Sequence, residues 1–196
     1  MRKLLAALAF SAPLLASATV IDFEAIADGG SVSNQYAGVT FSSPGSSVEV
    51  GAYGQSSWGT GAPKIACPRN LNSYCGGTMV VDFASAVNSL SFYFTGDNRV
   101  GVDGSVAVWF GASLLGSVDL IGDGNGLTAH LIDLASFGDV TKLEISISQQ
   151  EFSVAGLGYD DFSFNLANDV PEPGTLALAC LGLLGLGYTT RRRVAV

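Results

Sequence analysis

The chain has 196 residues, of which 48% are hydrophobic and only 13% are charged. This length suits one domain with its own core, and the low charge excludes a basic nucleic-acid-binding arm and most disordered classes. Of the 17 acidic and 9 basic residues, one acid and five bases lie in the two ends of the chain. The part between them therefore carries about 12 negative charges, and we expect no nucleic-acid partner.

The first 18 residues have the layout of a secretory signal peptide. Arg2-Lys3 is a basic start, Leu4–Leu15 is an apolar run, and Ala16-Ser17-Ala18 is a small-x-small cleavage site. The apolar run is short for a permanent membrane span. We therefore predict that residues 1–18 are a signal peptide and that the exported domain begins near Thr19.

The exported domain, predicted for residues 19–168, shows alternation of period two and no convincing helical period. In 89–94, for example, every second residue is apolar, which is typical of a half-buried strand. Groups rich in Gly, Asp and Asn, such as Gly122–Gly126, favour tight turns between the strands. We predict an all-β fold, an antiparallel jelly-roll-type β-sandwich, with a closed barrel as the alternative. Strands are expected at 20–24, 37–42, 47–52, 78–83, 89–94, 106–110, 114–121, 127–133, 143–148 and 162–164.

Residues 53–77 interrupt this alternation and are rich in Gly and Ser. We predict a long loop here, and such loops are often functional or disordered. The stretch contains Cys67 and Cys75, which in an exported chain favour a disulfide. It also contains Trp58 and Tyr74, which are candidates for ligand binding.

Four acidic residues lie on the first and last predicted strands: Asp22, Glu24, Asp160 and Asp161. The first and last strands of a jelly roll are commonly neighbours, so we expect these acids to meet at one edge. Asp160 is in phase with inward-facing Phe162, and a carboxylate at a core edge needs a partner. Two interpretations stay open: the four acids bind calcium, or backbone amides donate hydrogen bonds to Asp160.

Catalytic residues are not evident in the domain. The only histidine, His130, alternates with Ala and Leu in a strand, and no nucleophile motif such as GxSxG accompanies it. A glycosidase would need a pair of catalytic carboxylates, and no glycosidase motif is recognisable in the chain. We therefore predict that the domain is not an enzyme. Tyr93 and Trp109 are further aromatic residues expected to face outward, which leaves carbohydrate binding as an alternative function.

The C-terminal stretch has three elements in a fixed order: Val170-Pro171-Glu172-Pro173, the apolar segment Thr175–Tyr188, and Arg191-Arg192-Arg193. Counted from 174 to 190, the apolar segment reaches the lower length limit for a membrane span. The arginines are expected on the cytoplasmic side by the positive-inside rule. We predict a transmembrane helix at about 174–190 and a basic tail behind it.

Residues 169–196 resemble the PEP-CTERM sorting signal of exported bacterial proteins, on the residues Val170, Pro171, Glu172, Pro173, Arg191, Arg192 and Arg193. The resemblance implies that a membrane peptidase of the exosortase type recognises the chain and cleaves near the Pro-Glu-Pro motif. It also implies anchoring in the inner membrane by the C-terminal helix, followed by release or attachment at the cell surface. Bacteria with this system commonly secrete exopolysaccharide.

The body of the chain is similar to short β-sandwich ectodomains that often precede this signal, in Ile21–Glu24, Val32–Phe41 and Tyr159–Phe164. The prediction is an exported cell-surface or extracellular-matrix protein with a structural or adhesive role. A carbohydrate-binding module of jelly-roll type is the alternative, and a hydrolase is a distant third. Exopolysaccharide is a candidate partner, and calcium is the one candidate cofactor.

Overall fold

A computed structural model provides the structure of the protein. The chain contains a compact unit, Ala18–Asn168, which is distinct from the two chain ends. Within this unit, the structure describes residues 18–44, 50–54, 64–69, 75–96, 100–148 and 156–167.

The described residues form strands and turns, with one short 3-10 turn at Ala135–Phe137 and no α-helix. Every pair of strands is antiparallel. The strands are β1 (Thr19–Ile21), β2 (Ser31–Val32), β3 (Val39–Ser42), β4 (Val50–Gly54), β5 (Lys64–Pro68), β6 (Met79–Thr95), β7 (Val100–Phe110), β8 (Ser113–Asp123), β9 (His130–Asp133), β10 (Val140–Ile147) and β11 (Gly158–Leu166).

Strand β6 takes part in two groups of strands. Its first part, up to Phe83, pairs with β3 on one side and β10 on the other. Its second part, from Val87, pairs with β11 and β9. Ser89 lies near the start of this second part and has a φ of 52°. The register with β11 shifts at this point. Such a bulge bends a strand, so β6 can pass from one layer to the other.

The two groups form two layers over a common core. One layer has the order β3-β6-β10-β7-β8, and the other has β9-β6-β11 with β1 and β5-β4-β2 beyond β11. Phe41 of β3 contacts Phe162 of β11 with ring centroids 5.6 Å apart, and Phe83 contacts Phe164 at 5.2 Å. Buried residues of both layers belong to one apolar cluster. The predicted antiparallel β fold is confirmed, and its two layers fit a β-sandwich.

Two of the expected elements differ in the structure. Strand β5 lies inside the stretch predicted to be a long loop, and it pairs with β4. Its residues from Ile65 to Pro68 are all buried, so it lacks the alternation by which a half-buried strand is recognised. In addition, the strands expected at 78–83 and 89–94 are parts of the single strand β6.

Two predicted segments lie outside the described residues: the signal peptide, except for Ala18, and the membrane helix at 174–190. Within the described ranges, the protein has no helix with the length and apolar character that crossing a membrane requires.

Candidate functional site

The first and last strands lie side by side, as the sequence predicts. Strand β1 pairs with β11 so that Ile21 is opposite Phe162. The acids that follow β1, Asp22 and Glu24, are thereby brought near Asp160 and Asp161 of β11. Their proximity is evident electrostatically, since the other three carboxylates all raise the pKa of Asp160. The predicted pairing of the first and last strands is therefore present, and a common site formed by the four acids stays a prediction.

Asp160 is the buried member of this acidic group, with 7% of its surface exposed. Its Oδ1 accepts a hydrogen bond from the backbone N–H of Asp161 at 2.8 Å, and its Oδ2 makes no hydrogen bond with the described part of the chain. Burial has the largest influence on its pKa. Together with the negative charges nearby, and against the lowering effect of the Asp161 amide, it raises the pKa to about 7. Asp160 therefore gains and loses its proton near neutral pH.

A bulge interrupts β11 at Asp160 and Asp161. Tyr159 and Phe162 both contact Phe92, with ring centroids 6.1 and 5.0 Å away, although they are three residues apart. Asp161 has a φ of 49°, and the register with β6 shifts between Asp160 and Ser163. This bulge changes the phase of the strand. Asp160 is buried, as Phe162 is, and it is paired with Tyr93 across the strands.

The remaining acids have partners within the protein. Asp22 Oδ1 accepts the backbone N–H of Glu24 at 3.2 Å, and Glu24 Oε1 accepts the backbone N–H of Lys64 at 2.6 Å. The Lys64 ammonium donates to the carbonyl oxygens of Glu24 and Ile26. In the described ranges, no three His, Cys, Asp or Glu side chains form a group that could hold a metal ion.

Of the two interpretations of Asp160, the hydrogen bond from a backbone amide is the one present in the structure. Calcium binding by Asp22, Glu24, Asp160 and Asp161 stays a prediction. Calcium takes six to eight oxygen ligands, and oxygens of three of these acids already accept backbone amides.

Asp160 and Asp161 line a cavity of about 360 Å³, which we call the Asp160 cleft. Among its lining residues, Leu127 and Tyr93 are 58% and 37% exposed, whereas Phe94 is only 1% exposed. Apart from the two acids, most of its surface is apolar. Its residues are Ile65, Tyr93, Phe94, Thr95, Leu127, Ala129, Asp160 and Asp161.

Four segments distant in sequence form the cleft. The end of β6 supplies Tyr93 to Thr95, β11 supplies the acids opposite Tyr93, and β5 supplies Ile65 through its pairing with β11. The segment before β9 is held by a hydrogen bond from Thr95 Oγ1 to the carbonyl of Gly126 at 3.2 Å. Sequence patterns indicated the acids and Tyr93. They did not indicate Ile65, Leu127 or Ala129, because only tertiary pairing brings these residues together.

His130 is a packed strand residue, as predicted. Its ring stacks on Phe94 with centroids 5.0 Å apart, and its Nε2 lies 3.6 Å from an oxygen of Asp123. The Gly122–Gly126 stretch is the predicted tight turn, since the backbone N–H of Asn125 donates to Asp123 Oδ1 at 2.8 Å. This amide is the main reason that the pKa of Asp123 is lowered.

The predicted disulfide between Cys67 and Cys75 is present, with Cα atoms 5.0 Å apart. It joins the end of β5 to a residue whose carbonyl accepts the N–H of Leu157, just before β11. The candidate ligand-binding residues Trp58 and Tyr74 lie outside the described residues, as does the sorting stretch with its arginines. Trp109 has the Lys142 ammonium 4.5 Å above its ring, so one face of this aromatic is covered.

The described domain is thus an antiparallel β-sandwich-type domain with an acidic cleft beside its first and last strands. Residues 169–193 match the family model of the PEP-CTERM protein-sorting motif. The chain carries this sorting motif, as the sequence indicated, and the motif marks an exported protein that is sorted and processed at the membrane.

No curated protein matches the chain. Among solved structures, the chain is similar to the N-terminal CBM22-1-CBM22-2 tandem domain of Xyn10C from Paenibacillus barcinonensis. The identity is 14% and the TM-score is 0.41, over 80% of this chain and 51% of that chain. The chain therefore spans about half of that structure, and at this level of similarity we base no argument on it.

Proposed function

We propose that this protein is a non-enzymatic structural or adhesive component of the cell surface or extracellular matrix. The sorting motif at 169–193 is the observation that carries the proposal. The body of the chain suits such a setting, because it is acidic, built from strands and crosslinked by the Cys67–Cys75 disulfide. Disulfides persist in the oxidising environment outside the cytoplasm.

The proposal includes several finer points. A membrane peptidase of the exosortase type cleaves the chain near Pro171-Glu172-Pro173, after the helix at 174–190 has held it in the inner membrane. The domain has the jelly-roll form of the sandwich, and the mature protein remains near exopolysaccharide. Calcium at the four acids stabilises the domain only if the ion brings further oxygen ligands, such as water.

Carbohydrate binding is the alternative function, and a hydrolase is less favoured. A sugar-binding face is expected to present a row of free aromatic rings beside a groove. Within the described ranges, Tyr93 is such a residue, and Trp109 lies under Lys142. The other candidate rings, Trp58 and Tyr74, lie outside the described residues.

The proposed sorting is tested in the bacterium that produces the protein. Pro171, Glu172 and Pro173 are replaced together by Ala in the full chain, and cells are fractionated. We expect the natural chain at the surface or in the medium in a shortened form, and the variant at full length in the membrane. Exposed Pro44, replaced by Ala, is the control. Identical distribution and size of the natural chain and the motif variant would contradict the proposal.

The adhesive role is tested separately in cells that lack the gene. We expect these cells to attach or aggregate less, and the natural chain to restore the behaviour. The motif variant should fail to do so. Unchanged attachment in the gene-deleted cells would reject the adhesive role while leaving the sorting result intact.

A further inference from the structure

We infer that the Asp160 cleft binds a primary alkylammonium group on an unbranched apolar chain, as in a lysine side chain of a partner protein. The inference concerns the chemistry of a ligand. It therefore does not depend on whether the protein is adhesive.

The size of the cleft limits the ligand to a small group. Its volume of about 360 Å³ lies near the lower end of the range of ligand sites, roughly 300 to 1,000 Å³. One side chain or a small molecule fits such a space. Its lining includes the exposed residues Leu127 and Tyr93 as well as buried Phe94, so a ligand in the cleft contacts both accessible and buried surface.

The walls favour an apolar stem. Ile65, Phe94, Leu127 and Ala129 contribute aliphatic and aromatic surface, and removing this surface from water stabilises a bound methylene chain. Thr95 donates its hydroxyl to the carbonyl of Gly126, so that bond holds the loop in place. Most of the cleft is therefore suited to hydrocarbon.

The polar end of the cleft calls for a cation. Asp160 and Asp161 are its charged lining residues, and Asp160 Oδ2 makes no hydrogen bond with the described part of the chain. An ammonium group donates up to three hydrogen bonds and has no acceptor, which matches a carboxylate oxygen that lacks a donor. The aromatic ring of Tyr93, paired with Asp160 across the strands, is a second group that attracts cations.

The surrounding charges agree with this assignment. Asp22, Glu24 and Asp161 all act on Asp160 with negative charge. The nearby cation, Lys64, already donates its ammonium to the carbonyl oxygens of Glu24 and Ile26. An anion is therefore repelled from the cleft, whereas a positively charged ligand gains both from the field and from the direct bond.

The test uses the full chain in detergent micelles and ligand-detected NMR titration at pH 8. The probe is Nα-acetyl-lysine methylamide, and the matched probe is Nα-acetyl-norleucine methylamide, which has the same stem without the ammonium. We expect the lysine probe to bind at least about tenfold more tightly, because a charge-assisted hydrogen bond is lost in the other. Glucosamine serves as a third probe, a cation without the apolar stem, and should bind more weakly than the lysine probe.

Three variants test whether the lysine probe binds in the Asp160 cleft. Asp160→Asn keeps the size of the side chain and should weaken binding of the lysine probe about tenfold or more. Leu127→Ala removes part of an exposed wall and should weaken it about threefold. The control is Asp119→Asn, an exposed residue of β8 that does not line the cleft, and it should leave affinity within about twofold.

Four results would overturn the inference: no binding of the lysine probe, equal binding of the norleucine probe, tighter binding of glucosamine, or an Asp160→Asn variant with unchanged affinity. None of them bears on sorting, because the sorting motif and the cleft are tested on different residues. The converse also holds, since failed sorting of the motif variant would leave the titration unaffected.

Discussion

The surroundings of Asp160 disfavour the ionised form of its side chain. Its carboxyl group is almost fully buried, three other carboxylates act on it, and only one backbone amide is hydrogen-bonded to it. Strongly raised carboxyl pKa values are concentrated at functional sites, where burial and like charges are arranged to shift them. The ligand proposed for the cleft would offset this cost by supplying the missing positive charge.

The pKa of Asp160 predicts how stability depends on pH. Because the pKa is raised from 3.8 to about 7 by folding, the folded state retains a proton that the unfolded chain releases between pH 4 and 7. Stability contributed by this group is therefore present below pH 4 and is lost as pH rises to about 7. The loss is on the order of 2 to 4 kcal/mol.

The Asp160→Asn variant isolates this effect, because an amide of similar size does not ionise. We expect its melting temperature at pH 8 to exceed that of the natural chain, with the difference shrinking toward pH 4. Thermal melting monitored by circular dichroism across this range checks it. Asp119→Asn is the matched control. A natural chain whose stability rises from pH 5 to 8 relative to Asp160→Asn would contradict the assignment.

The affinity of the lysine probe should depend on pH through the protonation of Asp160. A cation favours the ionised carboxyl, so affinity should fall about tenfold for each pH unit well below the pKa of Asp160. The other charged groups that act on Asp160 are Asp22, Glu24 and Asp161, and the backbone N–H of Lys64 donates to Glu24. An affinity that does not change between pH 8 and 5.5 in the NMR titration would exclude Asp160 as the partner.

At the scale of elements, the chain segment before β11 is packed closely against the disulfide. Gly156 has a φ of 82°, and a Cβ atom placed there would overlap the carbonyl oxygen of Cys75. The backbone N–H of Leu157 donates to the same oxygen at 3.1 Å. A side chain at 156 cannot be accommodated without moving the segment that leads into β11 and hence the acids of the cleft.

Two glycine substitutions separate this contact from the cost of the backbone conformation. Gly156→Ala should lower the free energy of unfolding by about 2 kcal/mol more than Gly138→Ala. Gly138 has a similar φ of 72°, a ψ of −129° and open space around it. The destabilisation by Gly138→Ala is therefore the cost of the backbone conformation alone, about 1 to 3 kcal/mol. Urea denaturation of both variants provides the comparison. Equal destabilisation would show that the Cys75 contact is unimportant.

Much of this architecture was predictable from local patterns. Alternation in Leu90–Phe94 and Leu143–Ile147 gives half-buried strands, and Asp and Asn in Gly122–Gly126 give a turn. Strand β5 was not predictable, because its residues are buried in succession. The bulge at Asp161 was not predictable, because it depends on pairing with β6.

At the scale of the whole molecule, a β domain precedes a sorting motif at the end of the chain. Export explains features that the cytoplasm would not require, namely the Cys67–Cys75 disulfide and the large negative charge. Both suit a domain that folds outside the cell and remains soluble there. The strands form the Asp160 cleft, and the sorting motif marks the chain for export.

Mass spectrometry of the mature protein from the cells that produce it tests this view most directly. We predict a polypeptide that begins near Thr19, ends near the Pro171-Glu172-Pro173 motif, and is about 2 Da lighter than the reduced chain because of the disulfide. The mass of a chain continuing through Val196 would contradict processing by a sorting peptidase and would leave the C-terminal segment as a permanent anchor.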